Sequence, residues 1–140
     1  MTKILTMKGF KSNIEKDTRG NTDFRRAIYT GKHLQLVLMS LKAGDELGAE
    51  IHPGNDQFFR FESGSGKCLI DGHEYLVKDG DTVVIPAGAL HNVINTGAIE
   101  DLKMYTIYAP PHHRVGIVRT TKENAMKNEA VFDGKTTEKG

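Results

Sequence analysis

The chain has 140 residues, with 19 Lys and Arg against 18 Asp and Glu, one cysteine and no tryptophan. This is the size of one domain, with a core large enough to need neither disulfides nor a structural metal. A formal net charge of +1 supplies no field to gather nucleic acid or an anionic membrane, and the apolar runs of about eight residues fall far short of the roughly twenty that a spanning helix requires.

Met1 to Phe10 lacks the apolar stretch and cleavage site of a signal peptide, so a cytoplasmic location is expected. Lys11 to Arg26 is polar and uneven and reads as an arm or loop with a solvated basic face, giving an N-terminal arm over 1–23. A first strand is predicted from Phe24 to Thr30 and a second from His33 to Leu41, with Gly31 and Lys32 making a tight hairpin between them. From 44 to 88 eight of the fifteen glycines separate strand-length segments. These are Gln57 to Glu62, Lys67 to Ile70, His73 to Lys78 and Thr82 to Ile85, followed by His91 to Asn95 and Leu102 to Tyr108.

Asp71 and Gly72 carry the strongest hairpin signal, because a type I′ turn needs positive φ at both central residues. Turns recurring about every 8 to 12 residues, with no helical period before residue 120, predict an all-β sandwich or barrel over 24–119. Thr120 and Glu123 have capping-box spacing, so a short C-terminal helix is expected over Thr120 to Glu129. Residues 120–140 form this helix and a tail that frays from Asp133 onward.

The chemistry-bearing residues cluster in the middle. Glu50 and His52 project to one face of an extended chain, Gln57 opens the next strand, and His91 follows the turn containing Pro86 and Gly88. If the strands meet inside a barrel, Glu50, His52, Gln57 and His91 converge on one cation. Two imidazoles, a carboxylate and an amide oxygen suit Mn, Fe, Ni or Zn. The bland reading makes Glu50 a turn residue, Gln57 a surface residue and His91 a satisfied core imidazole.

Gly80 to Asn95 resembles the second motif of the cupin superfamily at all its fixed positions: Gly80, Pro86, Gly88, His91 and Asn95. The first cupin motif matches at Gly44, His52 and Gly64, but Glu50 stands where its first histidine would be and Gln57 where its glutamate would be. The resemblance spans Gly44 to Pro110 and is closest to small single-domain bacterial cupins labelled mannose-6-phosphate isomerase-like, a label of ancestry rather than activity. It implies an all-β double-stranded β-helix, a jelly-roll barrel. It also implies one divalent transition metal held by Glu50, His52, Gln57 and His91, a small polar ligand such as an organic acid or sugar, and a homodimer. Metal-dependent isomerase, oxygenase or lyase chemistry is the corresponding enzymatic expectation, and a metal-free binding or regulatory module is the alternative.

Parity from Gln57 turns Phe59 and Phe61 inward and Phe58, Arg60 and Glu62 outward. An outward Phe58 beside Arg60 is scattered exposure, a second sheet or a dimer contact. Any of the four tyrosines near the metal is an acid or base candidate. His33 and His73 read as surface residues, and Cys68 as a small buried apolar group. Pro110 to His113 reads as a solvated loop that ends the last strand.

Overall fold

The computed structural model describes residues 8–138; the first seven residues of the expected arm and the last two of the tail lie outside them. Asn13 opens helix α1 (Ile14–Gly20), its side chain accepting from the Lys16 N–H at 3.2 Å, with Glu15 and Asp17 in the first turn and Arg19 in the last. The polar segment expected to be a loop therefore holds a helix. With Thr18 its one buried side chain, it carries no apolar stripe for periodicity to reveal.

Strands β1 (Arg25–Thr30) and β2 (Gln35–Leu41) pair antiparallel. Their connection runs over 31–34 and is closed by the Gly31 N–H to the Leu34 carbonyl at 2.8 Å, so it is longer than the tight turn expected at Gly31 and Lys32. The chain continues through β3 (Glu50–Ile51), β4 (Asp56–Ser63), β5 (Ser65–Ile70), β6 (His73–Lys78) and β7 (Thr82–Ile85). It ends in β8 (Leu90–Asn95), β9 (Leu102–Ala109), β10 (Val118–Arg119) and helix α2 (Lys122–Lys127). Between β5 and β6, Asp71 and Gly72 take φ of 46° and 84°, the positive values their dipeptide predicts. α2 is capped by Thr121, one residue beyond the expected Thr120, and is shorter than expected.

The strands form two sheets, ordered β10-β1-β2-β9-β4-β7 and β3-β8-β5-β6, which make up the double-stranded β-helix. Val37, Met39, Leu41, Phe59, Phe61, Val93, Leu102 and Met104 fill the space between them. Phe59 and Phe61 are inward as parity requires, but Glu62 is buried too, because the β4–β9 register shifts after Phe61 and turns the next side chain in. Phe58 packs against Tyr105 at a centroid distance of 6.2 Å.

The C-terminal segment does not fray as far as residue 138. Thr30 and Thr137 exchange two hydrogen bonds at 2.8 and 2.9 Å, and the Tyr29 hydroxyl donates to Glu138 at 2.7 Å. No helix among the described residues is long and apolar enough to cross a membrane.

One row of cross-strand partners positions the functional end of the barrel. Thr30, Gln35, Tyr108, Gln57 and Ile85 stand opposite one another across β1, β2, β9, β4 and β7, and all five are buried. In the facing sheet, Glu50 stands opposite His91, and His91 opposite Ile70.

Candidate functional site

Of the motif glycines, Gly88 turns the chain at this end, whereas Gly44, Gly64 and Gly80 follow the opposite ends of β2, β4 and β6. Gly44, Gly64, Gly80 and Gly88 all have positive φ, and the Gly88 N–H donates to the His52 carbonyl at 3.0 Å, tying the two motif segments together. Asn95 acts structurally: its amide donates to the carbonyls of Leu41 and Glu100 and accepts from the Gly97 N–H.

Three of the four sequence-predicted ligands come together. His52 Nε2 lies 3.7 Å from Glu50 Oε2, and the His52 and His91 ring centroids are 5.1 Å apart. His91 Nδ1 is 3.0 Å from the Ala89 carbonyl; a carbonyl only accepts, so Nδ1 carries a proton and Nε2 is the ring nitrogen left to act as a ligand. Gln57 stands one step back. Its amide donates to Thr106 Oγ1 at 3.0 Å, while Oε1 is buried without a hydrogen-bond partner. Its link to the histidines is its row neighbour Tyr108, whose ring is 5.9 Å from that of His52.

The segment expected to be a solvated loop completes the site. His112 packs on His52 at 4.3 Å and on Tyr108 at 5.2 Å, and His113 Nε2 pairs with the Tyr108 hydroxyl at 3.2 Å. Two side chains hold this segment, Asn55 at the surface and Gln35 in the interior. Asn55 donates to the carbonyl of Pro110 at 2.6 Å, and Gln35 bonds the backbones of His112 and His113. The signal was Gln35 itself, an uncharged polar residue in the aliphatic run His33 to Leu41, since a buried amide requires partners.

Glu50, His52, His112 and Arg25 line a cavity of about 340 Å³ whose far wall comes from β10 and the segment after α2. Burial, then the neighbouring His112 and His91, bring the His52 pKa down to about 4. Burial followed by Arg25 lowers His112, and the same order of causes takes His113 to about 2. Burial pushes the Tyr108 hydroxyl up to about 12 and raises the Glu50 carboxyl against the opposing pull of Arg25. At neutral pH the cavity thus presents uncharged imidazoles, with the protonated Tyr108 phenol packed against the His52 and His112 rings.

The donor set suits a borderline divalent cation: imidazole nitrogen from His52 and His91, carboxylate oxygen from Glu50, and the unpartnered Gln57 Oε1. Among the described residues no three His, Cys, Asp or Glu side chains stand as a ready-made ion site.

A barrel of this topology with this motif defines a class, and the sequence matches the model of the cupin domain family over residues 37–108. The chain belongs to the cupin domain family. It is 47% identical over 128 residues to the uncharacterized protein YrkC of Bacillus subtilis, covering 87% of this chain and 68% of YrkC. The crystal structure of BH2720 from Bacillus halodurans superimposes with a TM-score of 0.84 at 46% identity, over 86% of this chain and 96% of that one. A weaker likeness, 29% over 73 residues, joins 52% of this chain to 15% of the mannose-1-phosphate guanylyltransferase of Escherichia coli.

Proposed function

We propose that the chain binds one divalent transition metal, Mn, Fe, Ni or Zn, through Glu50, His52, Gln57 and His91, and presents it to a small polar molecule such as an organic acid or sugar. The observation that carries this reading is the β3–β8 register, which sets Glu50 opposite His91 and leaves His52 Nε2 3.7 Å from the Glu50 carboxylate. The buried, unpartnered Gln57 Oε1 supports it, because such an oxygen gains from a cationic partner.

Bound there, the metal supplies Lewis acidity toward an oxygen of the small molecule. The chain's own residues divide the proton work. His112, neutral and half-buried beside the cavity, accepts a proton, and Tyr108, kept protonated and paired with His113, is the donor. Ile117 supplies a buried apolar side chain to the cavity wall, and Tyr108 is buried against His52 and His112.

A metal-free ligand-binding module is the second reading, favoured by the absence of a ready-made three-ligand set among the described residues. Thermal melting separates the two. A ligand at about a hundredfold excess over its dissociation constant stabilises the folded state by about 2.7 kcal/mol, so one of the four metals raises the melting temperature of the wild type and not of a His52→Ala, His91→Ala double variant. Identical melting of both proteins with every metal overturns the metal reading.

A further inference from the structure

Arg25 is a charged group of the cavity that makes no ion pair among the described residues. It lines the same space as Glu50, His52 and His112. Its Nε is buried without a hydrogen-bond partner, and among the described residues it makes no ion pair within 4.0 Å. Buried polar groups are nearly always partnered, so an orphaned nitrogen in a guanidinium group that lines a cavity needs an explanation. The Glu50 carboxylate is turned to His52 instead.

A second arginine stands directly beside it. Arg25 and Arg119 are opposite partners in the β1–β10 pair, so their side chains share one face of the sheet, and both line the cavity. Like charges directly opposite in an antiparallel pair destabilise it. Arg119 is fixed by its own backbone contacts, Nε on the Asn128 carbonyl at 2.9 Å and Nη1 on the Val118 carbonyl at 3.1 Å, which leaves Nη2 free among the described contacts. The carboxylates lining the cavity are Glu50 and Glu129, neither of them in contact with Arg25.

We propose that Arg25, assisted by Arg119, anchors an oxyanion, a carboxylate or phosphate group, carried by the small molecule that enters this cavity. The planar guanidinium fork matches such groups in a bidentate manner. The ring of Phe24 lies 5.2 Å from the Arg25 guanidinium carbon and restrains the fork. The inference rests on the reading of this cavity as a ligand site and is independent of the metal. An oxyanion held by Arg25 lies beside His52 and His112, within the proton-handling end of the cavity.

The test follows the arginine Nε–H signals by nuclear magnetic resonance in the full chain, with and without bound metal, at constant ionic strength. Inorganic phosphate, acetate and glucose serve as the anionic and neutral probes. The expected result is saturable movement of the Arg25 Nε–H signal with phosphate or acetate and none with glucose; the stronger probe tells which oxyanion the site prefers. R25Q weakens that binding by at least about tenfold, as loss of a charge-assisted bidentate contact requires, and R119Q weakens it less. R25K keeps the charge but loses the fork, and falls between wild type and R25Q. Movement with glucose equal to that with the anions, or unchanged anion binding in a folded R25Q, overturns the proposal. The wild-type signal tests it even if R25Q does not fold: an Arg25 signal unmoved by both anions is equally contrary. Anion binding without metal binding sinks only the metal reading, and metal binding without anion binding sinks only this one.

Discussion

Gln35 grips His113 by both ends of its backbone, Oε1 accepting from the His113 N–H at 2.9 Å and Nε2 donating to the His113 carbonyl at 2.8 Å. The same amide accepts from the His112 N–H and donates to Thr30 Oγ1. One buried side chain thus fixes the segment that carries two imidazoles to the cavity. Gln35→Leu keeps the volume and removes all four bonds, leaving backbone groups unpaired at about 1–3 kcal/mol each. A melting temperature lowered by several degrees is expected, together with a His112 pKa that moves up toward its ordinary value as the ring is released. An unshifted His112 titration by nuclear magnetic resonance contradicts the positioning role.

Acid stability depends on His113. Burial lowers its folded pKa to about 2 from the ordinary 6.5, so the folded protein binds fewer protons than the unfolded chain below pH 6.5. Its neutral form contributes stability that is fully present above about pH 6.5 and is lost as pH falls, by up to about 1.4 kcal/mol per pH unit. Urea unfolding at pH 7 and pH 5 measures this. The wild type weakens on acidification more than His113→Gln, and parallel behaviour of the two proteins contradicts the assignment.

Two glycines of the motif region separate strain from tolerance. At Gly64 φ is +89° and an added Cβ meets the Asp101 carbonyl oxygen at 2.5 Å, whereas at Gly54 φ is not positive and nothing lies within 4 Å. Gly64→Ala is expected to cost more than about 1 kcal/mol, and Gly54→Ala to be neutral or stabilising by up to about that amount. Chemical denaturation of the two variants checks the order; equal effects contradict it.

Cys68 is fully buried and burial pushes its thiol up to about 11. Because the thiolate is the reactive form, a thiol reagent at pH 8 is expected to leave the native chain unmodified and to react completely in denaturant. Rapid native reaction contradicts the packing of β5 against β8.

Much of the fold was legible because turn chemistry is local. Asp71-Gly72 marks its hairpin, and Gly88 turns the chain from β7 into β8, where His91 stands opposite Glu50. Alternation reads β4 correctly until the register shift that buries Glu62, since a bulge leaves no mark in composition. Of the residues at the candidate site, the sequence pointed to Glu50, His52, Gln57 and His91 and missed the others. His112 and His113 follow two prolines that end a strand, and their return to the barrel depends on Asn55 and Gln35, far off in sequence. Arg25 sits in a polar stretch that reads as solvated, and only the β1–β10 pairing turns it toward the cavity. Long-range contacts of this kind have no local signature.

Metal binding is the claim on which the functional reading turns. Its most direct test is calorimetric titration of Mn, Fe, Ni and Zn into metal-stripped chain, read beside elemental analysis of the purified protein. About one equivalent of one metal per chain is expected, with affinity reduced at least about tenfold by Glu50→Gln or Gln57→Leu and abolished in the His52→Ala, His91→Ala double variant. Less than about a tenth of an equivalent in the purified protein, with no heat from any of the four metals, contradicts it.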